Sequence, residues 1–200
     1  MGALSTIRNI YYRGSLEYCN YTCSYCPFGR KSASADTDGD REALHRFISR
    51  IGQWKHGALR ILIIPYGEAM IHRYYREGII RLAAMPHVAG VSCQTNLSFS
   101  VSRFLDEVEE ARADVTKIKF WASYHPEMAD VTDFASKIEK LHAAGIEVCA
   151  GVVGDPSAKE QIRRLRLLLD PSVYLFVNAM QGLRKPLSEE DVRFFNEMDN

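Results

Sequence analysis

The sequence predicts an α/β fold in which the strands of one parallel sheet alternate with helices. Three observations carry that expectation. Strand-length apolar or alternating runs alternate six times along the chain with stretches of helical period. One of these runs, RILIIPY at 60–66, is almost continuously apolar, as expected of a strand covered on both faces. No internal repeat or low-complexity tract breaks the series, and 200 residues suit one domain.

The first strand is expected at 10–13, leading into a loop rich in cysteine. A polar stretch, 31–40, reads as a mobile connection. Leu44, Phe47, Ile48, Ile51 and Trp54 then recur at helical spacing. The second strand is 60–66, and a helix over 72–84 stops at Met85-Pro86. The third strand is 88–95, and after Ser100 the residues Phe104, Leu105, Val108 and Ala111 line one helical face. TKIKFWA, 116–122, alternates with period two and forms the fourth strand.

Phe134, Ile138 and Leu141 mark the next helix, which Gly145 ends. The fifth strand is 146–153. Ser157 and Glu160 form a capping box for the helix carrying Ile162, Leu165 and Leu169. Pro171 closes that helix, 173–178 is the sixth strand, and Ser188 opens a last helix containing Phe194 and Phe195. Right-handed βα crossovers of this kind build either a doubly wound sheet or an incomplete barrel, and periodicity leaves both open. In both, functional groups gather at the C-terminal ends of the strands.

Composition excludes several classes. Lys plus Arg and Asp plus Glu both number 25, so a net charge of zero offers no general attraction to nucleic acid or anionic lipid. No apolar run approaches the ~20 residues of a membrane span. The start, MGALSTIRNIYY, has no signal-like apolar run, and its fit to the myristoylation pattern through Gly2 and Thr6 is read as accidental. Five cysteines, an odd number with three in one loop, speak against a secreted disulfide framework and for a reducing cytoplasm.

The loop reads CNYTCSYCPFGR and sets Cys19, Cys23 and Cys26 within eight positions. Four readings apply. Zinc needs a fourth ligand, which His45 or His56 could supply. A disulfide strands one thiol, and a redox CxxC pair leaves Cys19 without a role. An iron–sulfur cube with three protein ligands leaves one iron open to another molecule.

CNYTCSYC resembles the CxxxCxΦC motif of radical S-adenosylmethionine (SAM) enzymes, with Tyr25 at the aromatic position. More narrowly, it is similar to an uncharacterised subgroup whose loop reads CNYxCxYCPF. The resemblance spans residues 10–181. It implies an incomplete (β/α)6 TIM-like barrel, in which Cys19, Cys23 and Cys26 hold a 4Fe-4S cluster and SAM occupies the fourth iron. The implied reaction is reductive cleavage of SAM to a 5′-deoxyadenosyl radical, which takes hydrogen from a peptide or small-molecule substrate. An electron donor such as flavodoxin or ferredoxin is implied as a partner.

The same resemblance nominates residues at the strand ends. Tyr66-Gly67-Glu68-Ala69 is similar to the family's GGEP segment, with Tyr66 and Ala69 departing from it; its backbone would receive the methionine amino group and Glu68 would tie the loop down. Thr95 and Asn96, in Gln94-Thr95-Asn96, would bond ribose or carboxylate, as would Ser123. Tyr124, His125 and Glu127 would reach substrate. Gly151 and Val152, with Gly154, loosely match an adenine-side segment that lets a flat base approach the backbone. Asn178, within 177–181, would close the adenine pocket. Cys93 and Cys149 are either buried structural thiols or hydrogen-atom donors inside the barrel.

The expected division is a core at 1–182 and a short helical tail at 183–200. Proteins of the resembling group extend beyond the sixth strand, so this sequence is expected to be either a truncated or a compact form, with the segment that caps the substrate end short or missing. A zinc-binding structural domain using the same three cysteines is the alternative from a different class.

Overall fold

A computed structural model describes residues 7–28, 37–180 and 186–199. Six strands form one sheet: β1 (Arg8–Tyr12), β2 (Leu59–Ile63), β3 (Val88–Thr95), β4 (Ile118–Tyr124), β5 (Glu147–Gly154) and β6 (Leu175–Ala179). They pair in parallel and in strict chain order, β1-β2-β3-β4-β5-β6. A doubly wound sheet would reverse its order at a switch point. This one never does, and it curls into a half-barrel.

Helices α1 (Thr37–Gly52), α2 (Arg73–Ala83), α3 (Val101–Glu110), α4 (Val131–Ala143) and α5 (Lys159–Leu168) follow strands β1 to β5, and α6 (Glu189–Met198) follows β6. No helix among the described residues is long and apolar enough to cross a membrane.

Strand register sorts side chains between two faces, because partners on neighbouring strands point the same way. The row Ile63, Cys93, Phe120, Val148 faces the helices. There Phe120 meets Phe104 of α3 at 5.6 Å, and on the same face Tyr124 meets Phe134 of α4 at 5.1 Å. Alternate positions line the concave face: Gln94, Trp121, Cys149 in one row and Ser123, Gly151, Phe176 in another. The helix-facing rows carry buried, mostly apolar side chains, and the concave face mixes Gln94, Ser123 and Cys149 with the rings of Trp121 and Phe176.

Local chemistry sets the helix starts. Ser100 caps α3 by accepting from Arg103 N, and Asp130 caps α4 by accepting from Thr132 N and Asp133 N. Ser188 caps α6 in a box completed by Asp191. Gly145 ends the α4 unit with φ of 86°, as its position promises. The box expected from Ser157 and Glu160 does not form: Asp155 takes the Ser157 N–H, and the residue before α5 is Ala158, with no side-chain cap. Pro156 starts a 3-10 turn there and moves the capping position upstream.

The expected mobile stretch 31–40 is corrected in part. Residues 37–40 are the first turn of α1; the remainder lies outside the described residues. Asp40 has 0% exposure and accepts from Ser15 N at 2.7 Å, Ser15 Oγ at 3.3 Å and Tyr74 Oη at 3.0 Å. Burial, reinforced by this carboxylate, pushes Tyr12 up to about 12. The Tyr12 hydroxyl is buried in the same neighbourhood with no hydrogen-bond partner among the described residues, and burial followed by the Asp40 charge raises Tyr75 as well.

Helix α6 closes the far edge. Phe194 and Phe195 are buried, Asp191 pairs with Lys159 at 2.6 Å, and Asp199 accepts from Tyr174 Oη and from Val177 N of β6.

Candidate functional site

Gly14, at φ of 63°, turns the chain off β1 toward the cysteine loop. That segment is then laced to the end of β2: Gly67 N donates to Leu16 O and Glu68 N donates to Tyr18 O, both at 2.9 Å. A Cβ on Gly67 would stand 2.0 Å from Tyr18 O. Gly67 is therefore required by the approach of the chain's own backbone, where the sequence suggested approach of a ligand.

The loop is fixed on its other sides by β3 and β4. Asn96 Nδ2 donates to Asn20 Oδ1 at 3.1 Å and reaches Cys19 Sγ at 3.9 Å. Ser24 donates from its N and Oγ to Glu127, and Tyr25 Oη meets His125 Nδ1 at 2.9 Å. Behind these contacts Glu68, 4% exposed, accepts from Met70 N, Thr95 Oγ1 and Asn96 N. Its carboxylate ties the ends of β2 and β3 together.

The turn after β3 carries strain. Leu97 adopts φ of 55°, held by Thr95 Oγ1, which accepts Leu97 N, and by Asn96 Oδ1, which accepts Ser98 N. Thr95 and Asn96 are thus occupied with local structure. Only Asn96 also touches the cysteine loop.

Cys19, Cys23 and Cys26 all line one cavity of about 190 Å³, with Gly67, Glu68 and His125 among its other walls. Burial, and then the neighbouring thiols, push Cys23 up to about 11. Cys19 is raised chiefly by burial, while Tyr21 N and Asn96 pull against it. Cys19 and Cys23 are costly to ionise here, and a soft cation among the thiols reverses that cost. Three thiols on one cavity are the donor chemistry of an iron–sulfur or zinc centre. Among the described residues no three His, Cys, Asp or Glu side chains already stand in metal-holding geometry. His45 lines a groove between α1, α2 and α3, and His56 packs on Trp54, so neither joins the thiols as a fourth zinc ligand.

A second cavity, about 470 Å³, opens beside the first and shares Cys26, Gln94, Ser123 and His125 with it. Its concave wall is made by Trp121, Gly151, Phe176 and Asn178. Trp121 is 38% exposed and packs edge-on to Phe176 at 5.6 Å. A Cβ on Gly151 would stand 2.8 Å from Trp121 Nε1. The flat ring resting on Gly151 is thus the protein's own indole. Gly154 is crowded by Val177, Asn178 O and Phe195.

The remaining nominated residues divide by face. Cys149 and Ser123 are on the concave side; Gln94 Nε2 donates to Ser123 Oγ at 3.5 Å. Tyr66 is exposed, between Phe28 at 4.7 Å and the Arg13 guanidinium at 4.6 Å. Ala69 is fully buried, and the Val152 side chain faces the helices.

Two nominated side chains lie on the helix-facing side of the sheet. Cys93 is 1% exposed in the helix-facing row, its thiol pushed well up by burial, so it does not face the barrel interior as a hydrogen donor. Tyr124 is 2% exposed, its ring packing on Phe134 in the helix-facing layer, while the residue also borders the larger cavity. His125 and Glu127 hold the cysteine loop. Burial lowers His125 to about 4, so it is neutral near pH 7.

Sequence reasoning passed over Trp121 and Phe176. The period-two pattern of 116–122 contained the signal, since Trp121 falls on the face opposite Phe120.

Solved structures share this architecture. Native anSMEcpe with bound AdoMet and the Kp18Cys peptide aligns with a TM-score of 0.65 at 14% identity, over 95% of this chain and 58% of that one. Native anSMEcpe with bound AdoMet aligns at 0.63 and 14%, over 95% and 58%. Streptococcus suis SuiB bound to S-adenosylmethionine aligns at 0.58 and 15%, over 94% and 45%. The fold is the curled six-stranded parallel half-barrel that those structures share. This chain spans about half the length of those structures. No family profile matches the sequence, and no curated protein does. Within this half-barrel the three-thiol cavity lies at the C-terminal ends of β2, β3 and β4, where parallel barrels assemble their sites.

Proposed function

We propose that this protein is a radical SAM enzyme acting on a peptide or a small molecule. The observation that carries the reading is the joint lining of one cavity by Cys19, Cys23 and Cys26, at the strand ends of a radical SAM core fold. In this reading the three thiolates hold a 4Fe-4S cluster. When bound and reduced, such a cluster would supply one electron to the sulfonium of SAM, whose carbon–sulfur bond breaks to give methionine and a carbon radical able to take hydrogen from a substrate.

The chain's own residues do the positioning. The backbone at 66–69, fixed by Gly67 N to Leu16 O and Glu68 N to Tyr18 O, presents polar groups to the methionine end of SAM. Ser123 and Gln94 line both cavities and stand where ribose or carboxylate would pass. Tyr25, Gly151, Asn178 and the backbone of Val152 border the larger cavity, which takes the adenosyl group and the reacting part of the substrate. Trp121 and Phe176 exclude water from its concave wall. Cys149 is the remaining thiol on that face.

The reading treats residues 1–182 as the core and 183–200 as a tail, places the protein in a reducing cytoplasm, and calls for an electron donor such as flavodoxin or ferredoxin. The test is anaerobic reconstitution with iron, sulfide, SAM and reductant. A brown protein that forms 5′-deoxyadenosine is expected, with the product lost in Cys19→Ala, Cys23→Ala and Cys26→Ala. A colourless protein holding one zinc per chain would replace this reading with the zinc-binding structural domain.

A further inference from the structure

Ser24 lies between the second and third thiols of the loop and is held from across the mouth of the half-barrel. Its N–H donates to Glu127 Oε2 at 2.7 Å and its hydroxyl donates to Oε1 at 2.5 Å. Tyr25, the next residue, meets His125 Nδ1, with the two rings stacked at 5.9 Å. Thr22 Oγ1 reaches Met128 Sδ at 3.9 Å. All three partners come from the short turn between β4 and α4, about a hundred residues away in sequence. That turn is itself tight: Met128 N and Ala129 N both donate to His125 O.

The chemistry at Ser24 is a fork meeting a fork. Two donors on one residue face the two oxygens of one carboxylate, which fixes direction as well as distance. At the other end of the loop Asn96 holds Asn20 and touches Cys19. Without Glu127 the segment between Cys23 and Cys26 keeps the Cys26 N to Cys23 O turn and the Tyr25–His125 contact but loses the two-point hold on Ser24.

We propose that Glu127 is a positioning residue for the cysteine loop: by taking both donors of Ser24 it sets the peptide between Cys23 and Cys26, and so the spacing of those two thiols. Glu127 acts through Ser24. This rests on the radical SAM reading above only for the identity of the group the thiols hold.

The test compares wild type, Glu127→Ala and Glu127→Gln. Gln keeps an oxygen for Ser24 and Ala keeps none. In the full metal-free chain, hydrogen exchange at the Ser24 and Tyr25 amides should quicken about fivefold in Glu127→Ala and stay near wild type in Glu127→Gln, with β3 amides unmoved in both. After anaerobic reconstitution, the electron paramagnetic resonance signal of the reduced cluster should broaden in Glu127→Ala and recover in Glu127→Gln. Unchanged exchange in Glu127→Ala overturns the proposal, as does a Gln variant that exchanges like the Ala variant. If wild type takes up no iron, the cluster reading fails, and the exchange experiment still decides the role of Glu127.

Discussion

Asn96 donates its backbone N–H to Glu68 Oε2 over 2.6 Å, joining the turn after β3 to the segment after β2. The other oxygen of Glu68 takes Met70 N at 2.9 Å and Thr95 Oγ1 at 2.7 Å. Burial raises this carboxyl, and the three donors pull it back. All three partners are donors, an arrangement that only an acceptor on both oxygens satisfies.

Glu68→Gln replaces one acceptor with an NH2 that faces another N–H. Stability of the metal-free chain should fall by about 2–3 kcal/mol, seen as a lower urea midpoint with unchanged slope. A midpoint like wild type would show that Glu68 is protonated and already donating.

Gly67→Ala sets a methyl against Tyr18 O, a backbone atom that cannot rotate away. The expected loss is about 3 kcal/mol, and the cysteine loop should move off the end of β2. Near-ultraviolet circular dichroism of the tyrosine-rich loop reads the shift. Gly52→Ala, whose nearest atom is Met85 Cε at 3.7 Å, is the control that should leave the signal alone.

His125 gives the protein an acid sensitivity of known sign. Its folded value, lowered by burial to about 4, lies below the ordinary 6.5. Between those values the unfolded chain binds a proton that the folded chain refuses. Stability from this group is therefore whole above pH 6.5 and falls as pH drops toward 4, by up to about 3 kcal/mol. The difference between wild-type and His125→Asn unfolding free energies, followed from pH 7 to pH 4, should show that slope. A flat difference would sink it.

Asp40→Ala removes the acceptor for Ser15 N and for Tyr74 Oη inside the core. A loss of about 3 kcal/mol is expected from thermal unfolding, and less from Asp40→Asn, which keeps one oxygen. Because Ser15 precedes Cys19 by four residues, Asp40→Ala should also lower iron uptake on reconstitution.

Much of the architecture was legible because βα periodicity is local. The span of β3 coincides with the expected 88–95, and the caps at Ser100, Gly145 and Ser188 follow from single residues. In β3 and β4 the alternation separated two faces, Phe120 from Trp121 among them, but did not say which face turns to the helices, so Cys93 and Tyr124 could not be placed by it. The spacing of Cys19, Cys23 and Cys26 marked the loop as a candidate site and left four readings of it open. What holds it was not legible: Ser24 and Glu127 are 103 positions apart, and neither type is diagnostic. The first turn of α1 was hidden by its polarity, since Asp40 looks like solvent-facing residues until its partners at 15 and 74 are placed beside it.

The indole of Trp121 has a practical consequence. The chain has two tryptophans. Trp54 is engaged away from the cavities, its Nε1 donating to Gly57 O and its ring covered by Arg8. Trp121 is a wall of the larger cavity. The protein therefore carries a built-in optical gauge with its own internal reference. A molecule entering that cavity should change the emission of Trp121 and leave Trp54 steady, and Trp121→Phe should erase the change, so candidate ligands can be ranked by light before any turnover is known.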